Sequence, residues 1–522
     1  MTGFSQTWIV SFGAKWISGE GWEPSYLVAC ELSSRQSVGL DRAELFATPF
    51  PPYRTGNAAL FVCFVGEAMV GCHIKLGWPP PTRVIDLRAE FRNLSNGHRK
   101  PCGDGVIGAL IWCTLPISGV VFTPTSTRDG MAEVAALEQL YLTIFPRLTL
   151  PRAILRGRYL VAAARIEATG VPVDVTKLEV LKHHWRNIIR QTGTVIVNAK
   201  PKALAIGVDH RHRCEMRPFS SRTGRNQPRS AEFLLASPGW LRRLIKPEVG
   251  TGLALVDWQQ QEYGVAAALS VDERMMADYQ CGDPYLALAE RYGHHYPPSG
   301  YGGLREAFKA CALGVLNGIG QSGLACQIGC SPTEARLLLQ DHRAEYPQFW
   351  RWSDGVEMEA HLYGRLQSVF GWGVSVNAAS NPRFLRNFPL QANGAEMLRI
   401  ACCLATESGV TVCAPNHDAL LIEAPLEELA DAIKSTEATM AEASEIVLDG
   451  FRLRTSVTSI RYPDHYPHPR SDALWSDIDR ALAELEGGSE PAHERDTSCA
   501  QTHPRPISLY VYNRKDRSDG RD

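Results

Sequence analysis

The sequence predicts a multidomain α/β protein, and three observations carry that expectation. The chain has 522 residues, more than one ordinary domain requires. Its hydrophobic fraction of 44% is ample for packed cores. Short apolar runs bounded by Pro and Gly alternate with segments of helical period. In residues 1–150 the runs Tyr26 to Ala29, Ala59 to Val65 and Val84 to Leu87 read as strands. Residues 151–215 open with helical patterning through Tyr159, Val161, Ala164 and Ile166. A turn at Gly170-Val171-Pro172 follows, then an amphipathic helix from Thr176 to about Gln191. Residues 216–470 hold the chemistry-bearing motifs. In residues 471–522 a short helix from Ser471 to Glu486 precedes a polar tail that reads as disordered.

A net charge of −2 gives no global nucleic-acid signal. The charge is uneven, however: from Arg217 to Lys246 six Arg and one Lys face a single acid, Glu232. That excess suits contact with phosphates. Fourteen cysteines without a CxxC pair read as reduced thiols of a cytoplasmic protein. The cluster His210-Arg211-His212-Arg213-Cys214 lacks the second ligand pair of a zinc site. No signal peptide is visible. Gly105 to Thr127 is uncharged and long enough to raise a membrane question. Its Pro116, Gly119 and Ser/Thr-rich end favour buried strands or a loop, and no membrane association is expected.

Two aspartates dominate the functional reading. Asp257 closes the apolar run Leu253-Ala254-Leu255-Val256, and Asp418 sits in the turn between Val412 and Ile422. Carboxylates on strand ends can hold two divalent cations. Between them, Leu304 to Gly320 reads as a helix with Arg305, Lys309, Leu313 and Asn317 spaced four apart. Four residues rotate by about 400°, a drift of only about 40° per step, so Arg305 and Lys309 share a face. Arg305 can give a forked contact and Lys309 a point charge to one triphosphate. The combination points to nucleotidyl transfer at a two-metal site.

Five segments in order resemble the motifs of family A DNA polymerases, the group of bacterial DNA polymerase I. They are Asp257-Trp258-Gln259-Gln260-Gln261-Glu262-Tyr263, the helix from Arg305 to Gly318, Tyr363 to Gly371, Arg383-x3-Asn387-x3-Gln391, and Asn416-His417-Asp418-Ala419. The likeness covers about residues 150–465 and is nearest in kind to phage and prophage members. It implies a right-hand polymerase with a palm, fingers over about 271–364 and a reduced thumb over 151–215. A ribonuclease-H-like, exonuclease-type domain would precede them over 1–150. It also implies roles: Asp257 and Asp418 as ligands of two magnesium ions, and Arg305, Lys309, Leu313, Asn317, Gln260 and Tyr285 around the nucleotide. Glu262 becomes the steric gate against a ribose 2′-hydroxyl. Arg225, Arg383, Asn387, Gln391 and His417 would contact primer-template DNA, with Arg383, Asn387 and Gln391 reaching minor-groove acceptors common to all pairs.

The sequence also departs from that family. Leu313 stands where an aromatic is usual, Asn317 where a Tyr is, Ala419 where an acid often follows, and Tyr285 where a His is usual. The N-terminal part lacks the carboxylates of a proofreading centre: Ala29-Cys30-Glu31 keeps one acid of a first motif, Glu67 lies in a segment without Asp, Asp86 survives, and Glu133 stands in for a third-motif acid. That domain reads as degenerate, without proofreading. Between Asp174 and Thr223 the sequence has room for one thumb helix of about 24 Å but no returning partner, which predicts weak, salt-sensitive duplex retention. A single-subunit RNA polymerase is the enzymatic alternative, against which Glu262 argues. A non-catalytic primer-template binder, or a decayed prophage remnant, is the alternative of another class.

Overall fold

The computed structural model describes residues 4–98, 100, 102–192, 201, 204–229, 233–235, 239–293 and 303–487. The N-terminal part is a five-stranded sheet in the order β3-β2-β1-β4-β5. Its strands are β1 (Gln6–Ile17), β2 (Gly21–Glu31), β3 (Ser37–Asp41), β4 (Ala59–Cys63) and β5 (Val84–Asp86). The first three are antiparallel, and β1-β4-β5 run parallel. Helices α1 (Arg42–Ala47), α2 (Gly66–Lys75), α3 (Leu87–Ser95), α4 (Val106–Trp112), α5 (Thr127–Ile144) and α6 (Leu150–Thr169) accompany it. Leu137 and Leu140 of α5 and Leu110 of α4 pack on one face. Met69 and Val70 of α2 and Val161 of α6 pack on the other. The approach of α6 is close: a methyl at Gly157 would sit 1.8 Å from the Val84 carbonyl oxygen.

The three apolar runs read from the sequence fall in β2, β4 and β5, but the long central β1 was not among them. Its first half is buried at Trp8, Ile9 and Val10, so both faces are covered and no alternation marks it. The stretch from Gly105 to Thr127 forms α4 and then turns, not strands. Among the described residues no helix is long and apolar enough to cross a membrane.

A short bridge of β6 (Val171–Pro172) with β7 (Arg211–His212) flanks α7 (Val175–Thr192). The central sheet follows, in the order β11-β12-β8-β13 and antiparallel throughout. Its strands are β8 (Thr251–Trp258), β11 (Thr411–Asn416), β12 (Ala419–Pro425) and β13 (Thr455–Arg461). After β8 the chain leaves through α8 (Gln261–Ser270), α9 (Glu273–Gln280), α10 (Pro284–Tyr292), α11 (Leu304–Leu316), α12 (Gln321–Ile328), α13 (Pro332–Glu345) and α14 (Pro347–Tyr363). The hairpin of β9 (Arg365–Gln367) with β10 (Gly373–Ser375) precedes α15 (Pro382–Glu407), which returns to the sheet together with α16 (Leu429–Val447). One continuous core joins α8, α11, α15 and α16 to β8 and β12.

The helix packed against α7 comes from the far end of the chain. This is α17 (Asp472–Gly487), whose Asp479 pairs with Lys177 of α7 at 3.0 Å. Trp475 is fully buried and donates its indole N–H to the Trp240 carbonyl at 2.8 Å. Trp240 in turn stacks on Trp185 of α7, with centroids 5.7 Å apart. Part of the segment read as lacking a returning helix, residues 193–200, 202 and 203, lies outside the described residues. Trp475→Ala is expected to cost about 3–5 kcal/mol, because it empties a large buried site against the Trp240 ring. Urea denaturation followed by protease cleavage between Val175 and Thr192 measures it; an unchanged cleavage midpoint contradicts this account of α7.

Candidate active site

The central sheet brings together two acids that are far apart in sequence. In the antiparallel register Ala419 faces Asp257, and the Trp258 N–H donates to the Asp418 carbonyl at 3.1 Å. Ser456 of β13 faces Asp257 from the other side. The β11–β12 turn is tight, since Asn416 pairs with Ala419. His417 takes the left-handed conformation there, at φ +57°, which few non-glycine residues adopt.

Burial and proximity both act on this pair. Burial, and secondly the neighbouring Asp418, push the Asp257 carboxyl up to about 8. Burial raises Asp418 as well, opposed by its hydrogen bond to Asp257 and by His417 and Arg225. The Asp257 Oδ1 atom is buried without a hydrogen-bond partner among the described residues. Two like charges so placed cannot both ionise without a cation. The donor set therefore suits hard divalent cations, which prefer carboxylate oxygens.

Helix α8 starts immediately after this strand. Gln260 makes the corner in the left-handed region at φ +47°. Glu262, in the first turn, accepts a hydrogen bond from the Gln391 amide at 2.5 Å. Beside it Tyr285 is only 3% exposed and meets Tyr263 edge-on, with centroids 5.9 Å apart. Burial, then Glu262 and Asp283, raise its hydroxyl well above the ordinary tyrosine value. The Tyr285 ring lies against Arg305, whose guanidinium is 5.9 Å from the ring centroid.

On α11, Arg305 holds Asp283 through Nε at 2.7 Å and also pairs with Glu306. Lys309 follows one turn later and is half-buried. Leu313 packs against the core. The helix ends at Leu316, earlier than the Gly320 read from the sequence, because Gly318 turns the chain at φ +66°. Asn317 caps that end: its amide donates to the Leu313 carbonyl at 2.9 Å, and its oxygen accepts from Asn387 at 3.0 Å.

Arg383, Asn387 and Gln391 all lie on α15, with Arg383 exposed in the first turn. Arg225 reaches toward the same place: its guanidinium nitrogen would lie 3.6 Å from a methyl at Gly394 of α15. His417 is exposed beside Asp418. Two participants were missed in the sequence. Asp283 orients Arg305 and caps α10 through the Tyr285 and Leu286 N–H groups at 3.0 and 3.2 Å. Gly282-Asp283-Pro284 is a legible helix start, but nothing local shows the ion pair. Arg454, just before β13, also touches the Gln260 corner.

Residues 236–458 match the model of DNA polymerase family A. The chain is 27% identical over 216 residues to a DNA polymerase I of Chloroflexus aurantiacus, covering 38% of this chain and 23% of that protein. It is 25% identical over 282 residues to a DNA polymerase I of Streptococcus pneumoniae, covering 50% of this chain and 32% of the relative. A DNA polymerase of Mycobacterium phage D29 is 28% identical over 250 residues, with 46% and 41% covered. The matched part thus spans between about a quarter and two fifths of these relatives' lengths. Among solved structures, the POL domain of Pol1 from M. smegmatis, in complex with DNA primer-template and dNTP, superposes with a TM-score of 0.71. It covers 88% of this chain and 96% of its own at 15% identity, a likeness of fold. The region that matches the DNA polymerase family A model runs from ahead of β8 into β13 and encloses both aspartates, α11 and α15.

Proposed function

We propose that the chain is a template-directed DNA polymerase that adds deoxynucleotides to a primer 3′ end, with Asp257 and Asp418 holding two magnesium ions. The observation that carries this reading is the buried carboxyl pair with its orphaned oxygen. Among the described residues no cluster of three or more His, Cys, Asp or Glu is arranged for a metal. Two carboxylates leave coordination positions for phosphate oxygens and water, as phosphoryl-transfer sites require. When bound, such ions supply Lewis-acid activation of the attacking hydroxyl and charge compensation at the leaving diphosphate.

The protein's own groups do the positioning. Lys309 and Arg305 present cations on one face of α11; Arg305 exchanges Asp283 for a phosphate. Glu262, steadied by Gln391, occupies space beside the sugar and disfavours a 2′-hydroxyl. Gln260 and Tyr285 shape the floor, and Leu313 and Asn317 border the nascent base pair. Arg383, Asn387 and Gln391 line up toward the minor groove, Arg225 toward the primer-template, and His417 toward the primer end. The M. smegmatis fold neighbour was solved with primer-template and dNTP, which supports the same partners here.

The N-terminal sheet supports an excision-free reading. Its strand order suits a ribonuclease-H-like domain, but a cavity of about 560 Å³ over it is lined by Arg88, Arg92 and Arg217 with only Asp104 and Glu133. Asp104 is already paired with Lys100 at 2.7 Å, and Glu133 accepts hydrogen bonds from Ser11 and Tyr26. Glu31, the first-motif candidate, lies at the end of β2. Its carboxylate receives the Thr7 and Ser33 N–H groups at 3.0 Å, so it fixes a turn. Asp86 is likewise taken up by the N–H groups of Gly66 and Ala89.

Three outcomes test this reading. Asp257→Asn should lower primer extension with magnesium by about 10³-fold or more. Without divalent ions it should also flatten the pH dependence of stability. The folded wild type keeps a proton that the unfolded chain has lost, so its stability falls as pH rises from about 4 to about 8. Full extension by the variant, or an unaltered slope in urea melts across that range, defeats the assignment. Glu262→Ala should narrow deoxy-over-ribonucleotide selection by about tenfold or more in single insertions; an unchanged ratio removes Glu262 from that role. A mismatched primer should keep its 3′ end when incubated with the Asp257→Asn protein and magnesium. Stepwise shortening there would show a working excision centre.

A further inference from the structure

Arg454 lies outside every motif discussed so far. We infer that Arg454 is a positioning residue for nucleotide binding, because its guanidinium ties the corner after Asp257 to the turn that fixes Arg305. The inference rests on the polymerase reading.

The contacts form one path. The Gln259 N–H donates to the Arg454 carbonyl at 2.8 Å, and the Gln259 amide donates to the Thr455 carbonyl at 3.0 Å. The Arg454 N–H donates to the Tyr279 hydroxyl, which itself donates to the Gln259 carbonyl, both at 2.9 Å. The Arg454 guanidinium donates to the Gly282 carbonyl and, at 3.4 Å, to the Gln260 side-chain oxygen. It also sits 4.8 Å from the centroid of the fully buried Tyr279 ring, a favourable place for a cation. The residue after Gly282 is Asp283, which holds Arg305. The side chain thus joins Gln260 on the sheet side to Gly282 on the side of α10 and α11, while the Arg454 backbone holds Gln259 and Tyr279.

The chemistry of this post is specific to arginine. Its planar fork can serve two acceptors while its face rests on an aromatic ring, whereas a lysine offers a point charge. Gln260 is a non-glycine residue in the left-handed region, and such conformations persist where neighbours hold them. Arg454 also borders a cavity of about 730 Å³, shared with Gln259, Tyr279, Glu437 and Arg452. Shortening the side chain therefore widens a wet space, and the packed core beneath is spared.

The test compares full-length wild type, Arg454→Ala, Arg454→Lys and, as a neighbour control, Arg452→Ala; Arg452 is exposed and 3.7 Å from Glu445. Three readouts are taken: dATP binding by fluorescence with primer-template present, steady-state KM and kcat, and hydrogen exchange at the amides of residues 281–286. Arg454→Ala should weaken dATP binding and raise KM about tenfold, with faster exchange at 281–286 and unchanged affinity for primer-template. Arg454→Lys should recover part of this, and Arg452→Ala should match wild type. Unchanged dATP binding and exchange in Arg454→Ala overturns the inference. So does a loss shared equally by primer-template affinity and thermal stability, which is what a purely structural residue gives. A wild type that extends no primer overturns the polymerase reading itself, while the binding and exchange arms still report on Arg454.

Discussion

The rest of the site depends on one electrostatic constraint: two carboxyl groups held together in a partly buried place. Pairing β8 with β12 in this register leaves Asp257 and the Asp418 turn side by side. A slip of one residue would send every β8 side chain to the other face of the sheet. The register is enforced by apolar residues, since Leu253, Ala254, Val256, Leu420, Leu421 and Ile422 are all fully buried. Hydrophobic burial thus fixes a pair of like charges that would otherwise separate. On the proposed reading the unfavourable pair favours cations, because a divalent ion would relieve both desolvated carboxyls at once.

The cationic side of the site is treated in the opposite way. Arg305 is matched by Asp283 and Glu306 rather than left unpaired. These pairs are more than a third exposed at Arg305 and are each worth at most about 1 kcal/mol. An anion carrying several charges can displace them at small cost. Asp283 keeps its role as a helix cap after the exchange, since its Oδ1 takes the Tyr285 and Leu286 N–H groups while Oδ2 holds Arg305. The arrangement orients the guanidinium beforehand and still lets it go.

How much of this was legible follows from how local each signal is. The two aspartates, α7, α11 and the Arg383-Asn387-Gln391 spacing were readable, because strand ends and helical periods are written in neighbouring residues. The end of α11 was misplaced by a few residues, since only the close approach of Gly318 to Arg383 shows where the chain must turn. β1 escaped because a strand covered on both faces carries no alternation. The pairing of α17 with α7 escaped for another reason: it joins residues at opposite ends of the region through Trp185, Trp240 and Trp475. The same holds for Asp283 with Arg305 and for Arg454 with Gly282, contacts set by tertiary structure alone.

The replaced residues at the end of α11 show what selection of a base pair can still rely on. Asn317 offers no ring, and its amide is occupied by Leu313 and Asn387. Stacking at that point is therefore absent from the proposed mechanism, and two amides link α11 to α15 instead. Leu313 supplies bulk but no π-face, so it can exclude ill-fitting shapes without rewarding a flat base. On the proposed reading, discrimination then falls to geometry at the minor groove, where Gln391 is already committed to Glu262. Sugar selection and pair selection thus meet in one hydrogen bond: a pair that pulls Gln391 away also loosens the carboxylate that guards the sugar.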